Sequence, residues 1–214
     1  MKIINLTEDS AIYTSNVYLV TGTWNTLEDK NTLIDVGRDP LIVEKINTMR
    51  TGVGKRKVDQ AILTHSHYDH ASLLPHIKEL YSPTTYAFSD SLKCVDIMLR
   101  GGETLRIGDR MFEVIHTPGH TQDSICLYCE EEGVLFVGDT PVIIRVPGCS
   151  FEERFVKAMQ YIATKDVRAI YFGHGRPMLE YCNAAIQNSI TNIKKSRIIS
   201  RNQIEEHYED RNNS

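Results

Sequence analysis

The stretch His65-Ser66-His67-Tyr68-Asp69-His70 places three imidazoles and a carboxylate within six residues. It follows Val58-Asp59-Gln60-Ala61-Ile62-Leu63-Thr64, whose apolar end reads as a buried strand. From Ala71 to Leu80 the pattern predicts a helix, with Ser72 near its start. The cluster therefore falls where a strand gives way to a helix. In α/β sheets ligand sites gather there, outside the carboxyl ends of the strands. A turn lets close neighbours point inward together, which the alternation of a regular strand prevents. His65 and His67 can then share one cation, and Asp69 and His70 can turn toward a second. Imidazole with carboxylate suits zinc and iron. Histidine and aspartate also serve turns and caps, but the chain has only 8 histidines in 214 residues and three stand here.

Three further stretches carry the same signature. Thr117-Pro118-Gly119-His120, Gly138-Asp139 and Gly173-His174-Gly175 each follow a strand-like run, respectively Met111 to Ile115, Val134 to Val137 and Ala169 to Phe172. Each adds one ligand-type side chain beside glycine at a strand end. With these four motifs in this order, the sequence resembles the metallo-β-lactamase superfamily, and within it the hydrolase branch related to hydroxyacylglutathione hydrolase (glyoxalase II). The resemblance runs from Asn16 to His174.

The resemblance implies an α/β fold, an αββα sandwich with its site at one edge of two sheets; periodicity alone gives only α/β. It implies His65, His67 and His120 as one metal site, Asp69, His70 and His174 as a second, and Asp139 as the bridging carboxylate. It makes Asp35, in the Asp-x-Gly ending Asn31-Thr32-Leu33-Ile34-Asp35-Val36-Gly37, a residue that holds the ligand loop. The cofactors expected are two divalent ions, zinc first, with iron or manganese also compatible. Such a pair, roughly 3.5–4 Å apart, lowers the pKa of a shared water from 15.7 toward about 7. The function implied is hydrolysis of a small ester, thioester or lactone by the metal-bridging hydroxide, with Asp69 as the catalytic carboxylate. The alternative is redox chemistry: persulfide dioxygenases of the superfamily hold one iron with residues matching His65, His120 and Asp139. The chain departs from the pattern at Ala71-Ser72-Leu73, where the family often has two glycines, and at Thr121-Gln122-Asp123, where it has a small residue. About forty residues follow His174, too few for the helical carrier-binding domain of hydroxyacylglutathione hydrolase.

Composition bounds the rest. A chain of 214 residues fits a single domain, spanning 1–214, with a C-terminal helix at about 179–208. Its hydrophobic content of 41% and charged content of 24% are ordinary for a globular protein. A net charge of −4 gives no basic footprint for nucleic acid. Lys194, Lys195 and Arg197 read as a solvated helix face. Residues 1–15 lack an apolar signal core, and no apolar run reaches spanning length. The expectation is a cytoplasmic protein acting on a small molecule, with no nucleic-acid or membrane partner; a homodimer is possible. Five cysteines form no framework. In a strand, Cys126 and Cys129 face opposite sides and read as packing.

In order, strands are expected at Lys2 to Leu6, Ala11 to Thr21, Asn31 to Gly37 and Thr84 to Phe88, and a helix over Pro40 to Arg50. Helices are also expected over Ser89 to Met98, Phe151 to Ala163 and Leu179 to about Tyr208. Hairpins are expected at Glu103 to Thr117 and Ser124 to Val137. Tyr68 and Arg176, and also Arg145, stand where they could line a substrate pocket, though each has an ordinary packing or surface reading. His116, His76 and His207 read as structural or surface residues.

Overall fold

The computed structural model describes residues 1–24, 26–89 and 92–200. Two sheets stack face to face. The first has the order β1 (Lys2–Asn5), β2 (Tyr18–Thr21), β3 (Thr32–Ile34), β4 (Gln60–Ile62), β5 (Thr84–Ala87) and β6 (Ile97–Met98). Its first three strands are antiparallel, and β3 to β6 run parallel. Helices α1 (Leu41–Thr48), α2 (Tyr68–Ala71) and α3 (Leu74–Tyr81) lie in the connections between its parallel strands. The second sheet contains β7 (Thr104–Ile107), β8 (Arg110–His116), β9 (Ile125–Cys129), β10 (Val134–Gly138) and β12 (Ala169–Phe172), with β10 and β12 parallel. Between them the chain passes through β11 (Ser150–Glu152) and α4 (Glu153–Ile162), and it continues through α5 (Cys182–Lys194) and β13 (Arg197–Ile199).

Strand alternation sorts the apolar residues into three layers. Leu19, Leu33, Ala61 and Leu63 pack under Ile42 and Ile46 of α1 and Leu74 and Ile77 of α3. Val20, Ile34 and Ile62 meet Phe112, Val114, Leu127 and Phe136 between the sheets. Cys126, Leu135 and Val137 face Phe155 and Met159 of α4 and Ile186 and Ile190 of α5. The architecture is therefore the αββα sandwich. Strands β9 and β10 are buried at every position, because both faces of the sheet are covered. Cys126 and Cys129 fall in different layers, as alternation requires. No helix among the described residues is long and apolar enough to cross a membrane.

Several expectations need correction. The described residues of the Ser89 to Met98 span form no helix. Cys94 takes a left-handed backbone (φ 68°), and Ile97–Met98 joins the sheet edge as β6. The Asp96 carboxylate accepts from the Thr85 backbone N–H at 2.9 Å, and that bond ties the segment to the sheet. The helix expected from Leu179 starts only at Cys182, after the left-handed Tyr181, and ends at Lys194. Arg197–Ile199 then pairs in parallel with Ser150–Glu152, so the strand β11 precedes α4. The remainder of that expectation, with His207, lies outside the described residues. The helix after the histidine stretch is split, with α2 ending at Ala71 and α3 starting at Leu74 next to Pro75. Of Ala11 to Thr21 only Tyr18–Thr21 is strand; residues 11–17 form an irregular strap.

Phe136 lies between the sheets with 1% of its surface exposed. Phe136→Ala should cost about 3–5 kcal/mol in urea unfolding, the usual range for emptying an aromatic site. Cys129→Ala, in the same layer, should cost only about 0.5–1.5 kcal/mol, as for loss of a single heavy atom, and should leave metal content unchanged.

Candidate metal centre

The site is assembled from strand ends. Strand β4 delivers Thr64 and His65, and His67 caps the short helix that carries Asp69 and His70. His120 follows β8, Asp139 follows β10 and His174 follows β12. The structure brings all seven residues together. Ligand-type atoms lie within 4.8 Å of one another in three sets: His65, His67 and His120; His65, His70 and Asp139; Asp69, His70 and His174. Asp139 touches both flanks. Its Oδ1 is 3.4 Å from His70 Nε2, and its Oδ2 is 3.6 Å from His120 Nε2 and 3.5 Å from His174 Nε2.

Hydrogen bonds behind the cluster decide which nitrogens face it. Asp35 Oδ1 accepts from the Thr64 backbone N–H at 2.7 Å, and Oδ2 accepts from the Thr64 hydroxyl at 2.8 Å. The single hydroxyl proton of Thr64 is thereby committed. Its oxygen can only accept from His65 Nδ1, 3.1 Å away, which leaves Nε2 of His65 with its lone pair free. His70 Nδ1 lies 2.8 Å from Asp35 Oδ2 and donates to it, so its Nε2 also faces inward. The Nε2 atoms of His65, His70 and His174 are buried and have no hydrogen-bond partner. His174 Nε2 is 3.1 Å from Asp69 Oδ2 without hydrogen-bond alignment. Buried nitrogens left without partners and aimed at carboxylates form a donor set that fits divalent cations.

The charges point the same way. Burial, helped by the nearby His70 charge, pushes His65 down to about 4. Burial also opposes charge on His70, but Asp35 and Asp139 outweigh it and raise that ring to about 10. Burial opposes the Asp139 carboxylate too, yet His174 and His70 hold it well below the usual carboxylate range. Asp35 and Asp139 thus favour positive charge at His70. A cation at Nε2 would meet the same demand, and its binding would compete with protons there.

A family model described as the metallo-beta-lactamase superfamily matches residues 12–93 and 90–174. The chain belongs to that superfamily. Among its relatives, the hydroxyacylglutathione hydrolase of Methylobacterium sp. (strain 4-46) is 31% identical over 119 residues, 53% of this chain and 47% of that protein. An atrochrysone carboxyl ACP thioesterase of Aspergillus fumigatus is 24% identical over 163 residues, 74% of this chain and 51% of that one. The chain spans about half the length of these curated relatives. Among solved structures, a metallo-beta-lactamase family protein from Thermus thermophilus superposes with a TM-score of 0.63 at 18% identity, covering 90% of this chain and 79% of its own. ETHE1 from Myxococcus xanthus superposes with a TM-score of 0.61 at 19% identity, covering 91% and 90%. Identities this low show a shared fold alone.

The other expected residues are not part of these ligand sets. Tyr68 is 69% exposed, with the Arg38 guanidinium 5.3 Å from its ring centre. Arg176 and Arg145 are exposed. His116 stacks on Phe88 at 3.8 Å, with its Nε2 at 2.8 Å from the Gln122 carbonyl, a structural role. His76 is an exposed residue of α3. Sequence reasoning missed Asn16, Tyr13 and Thr64. The Asn16 amide donates to the carbonyls of Phe172 at 2.9 Å and Gly175 at 2.8 Å, on either side of His174. Tyr13 stacks on the His174 ring at 5.2 Å, and the negative charge of Asp69 pushes its phenol pKa up. The signal for Asn16 was present: an amide beside the apolar run Val17 to Val20 needs partners when buried.

Two substitutions test the support of the centre. Asp35→Ala should weaken metal binding about 10- to 100-fold, the usual effect of losing a residue that orients a ligand, measured by competition with a chromophoric chelator. Gly173→Ala would place a Cβ 2.2 Å from Asp139 Oδ1 and 2.7 Å from His70 Cε1. It should lose metal while circular dichroism still reports a folded chain.

Proposed function

We propose that the protein is a metal-dependent hydrolase that holds two divalent cations, zinc in the first instance, and cleaves a small ester, thioester or lactone. The observation that carries this reading is the convergence of three buried, unpartnered Nε2 atoms on the carboxylates of Asp69 and Asp139. His65, His67 and His120 would hold one cation, Asp69, His70 and His174 the other, and Asp139 both. Relatives named as a hydroxyacylglutathione hydrolase and a carboxyl ACP thioesterase support hydrolysis rather than redox chemistry.

When bound, the cations supply Lewis acidity and a water whose pKa falls toward about 7. The chain's own residues do the rest. Asp35 and Thr64 keep the His65 and His70 lone pairs turned inward. Asp69, beside His174, would take up and return a proton at a carboxylate oxygen while the acyl bond breaks. No cysteine nucleophile is called for. Burial raises the Cys126 thiol to about 11, far from the thiolate that nucleophilic attack requires. Tyr68 and Arg176 would contact the substrate at the exposed rim. The net charge of −4 favours a small molecule over nucleic acid.

One preparation, purified without chelator, tests the proposal. Metal analysis should give two zinc ions per chain, and a panel of esters, thioesters and lactones should include substrates. His67→Ala and Asp139→Ala should lower metal content and abolish turnover. Iron and manganese accept the same donors. Iron together with oxygen uptake on glutathione persulfide, undiminished by His174→Ala, would sink the hydrolase reading in favour of a dioxygenase.

A further inference from the structure

An open cavity of about 310 Å³ adjoins the centre. Its lining joins His120, Asp139 and His174 to an apolar group that includes Pro141, Ile143 and Phe172, and among the described residues no lysine or arginine lines it. The apolar wall is built in advance. The Ile144 N–H donates to the Ser189 hydroxyl of α5 at 2.8 Å, and the Ile144 carbonyl accepts from the Asn192 amide at 2.8 Å. On β12, the Phe172 carbonyl is pinned by the Tyr18 hydroxyl at 2.8 Å and by Asn16. Ile143 and Phe172 both pack against the apolar layer beneath α4 and α5.

We propose that this cavity receives the acyl part of the substrate, and that the acyl group is short, neutral and apolar. The inference rests on the hydrolase reading and names its substrate class. The volume lies at the small end of ligand clefts, which run from about 300 to 1,000 Å³. A carboxylate at the far end of the acyl chain would leave water for a wall of proline, isoleucine and phenylalanine without a cationic partner, which is costly. The leaving group faces the other way. Tyr13 and Tyr68 are absent from the cavity lining and are 70% and 69% exposed; Tyr13 stacks on His174, and Tyr68 directly precedes Asp69 in the chain. The alcohol or thiol therefore departs over that rim into solvent.

Calorimetric titration of the metal-loaded chain with hydroxamates tests the cavity independently of turnover. Acetyl to hexanoyl hydroxamates share one metal-binding head and differ only in the acyl chain. Affinity should rise about fourfold per methylene, the equivalent of about 0.8 kcal/mol each, until the cavity is full. The succinyl monohydroxamate should bind at least tenfold more weakly than the butyryl compound. Ile143→Trp, which fills the cavity, should flatten the series, and Phe172→Ala, which enlarges it, should move the optimum to a longer chain. A series that is flat in the unmodified protein, or a succinyl compound that binds as tightly as the butyryl one, overturns the assignment. Rising affinity without turnover of any ester, thioester or lactone would uphold the cavity and overturn the hydrolase reading. Turnover with a flat binding series would do the reverse.

Discussion

The Asp35 carboxylate, 2% exposed, is the constraint on which the centre depends. It stands just beyond β3, and Thr64 stands just beyond the neighbouring parallel strand β4. To turn back toward Thr64 the chain takes a left-handed conformation at Asp35 (φ 58°), which costs of order 1–3 kcal/mol at a non-glycine residue. Three hydrogen bonds to a charged acceptor offset that, at about 1.5–3 kcal/mol each. The consequence is a relay of proton positions. Because Asp35 takes the Thr64 hydroxyl proton, His65 must donate through Nδ1. Because Asp35 also accepts from His70 Nδ1, both imidazoles turn Nε2 into the cluster. One buried carboxylate thus orients two candidate ligands without touching the centre itself.

The second requirement is closure of the sandwich. His65 to His70 come from the first sheet, whereas His120, Asp139 and His174 come from the second, so neither half holds a complete set. Apolar packing between the sheets brings the halves together, and backbone bonds set their register at the site. The Ile125 N–H donates to the Thr64 carbonyl at 2.9 Å. The irregular strap then crosses the seam. Its Ser15 N–H donates to the Asp69 carbonyl at 3.1 Å and its Asn16 N–H to the Gly173 carbonyl at 2.6 Å. Gly173 has no side chain because Asp139 and His70 occupy the place of its Cβ.

What could be read from the sequence follows from the range of each interaction. Strands β9 and β10 were legible because both their faces are covered, and long apolar runs result. The ligand loops were legible because histidine and aspartate beside glycine at strand ends is a local pattern. Asp35 was legible only through the family resemblance, since an Asp-x-Gly turn alone has a plain structural reading. Strands β6 and β13 were not legible. They have two and three residues, and a partner chosen by the tertiary fold decides their conformation. The same holds for the strap. Its residues resemble a strand, but its hydrogen bonds go to loops that carry ligands, and nothing in residues 11–17 announces those partners.

The histidine pair at the heart of the cluster shows how finely these contacts act. The rings of His65 and His70 lie 4.1 Å apart between centroids, and both are buried. Burial alone drives both toward the neutral form. One ring nevertheless falls to about 4 and the other rises to about 10. The difference lies in what stands behind each ring. His65 meets the Thr64 hydroxyl, which is neutral, whereas His70 meets the Asp35 carboxylate directly and Asp139 in front. The carboxylates of Asp35 and Asp139 favour positive charge on His70. The cluster is therefore organised around positive charge at His70 Nε2, and a divalent cation satisfies there, and at the neighbouring unpartnered nitrogens, what a single proton satisfies only in part.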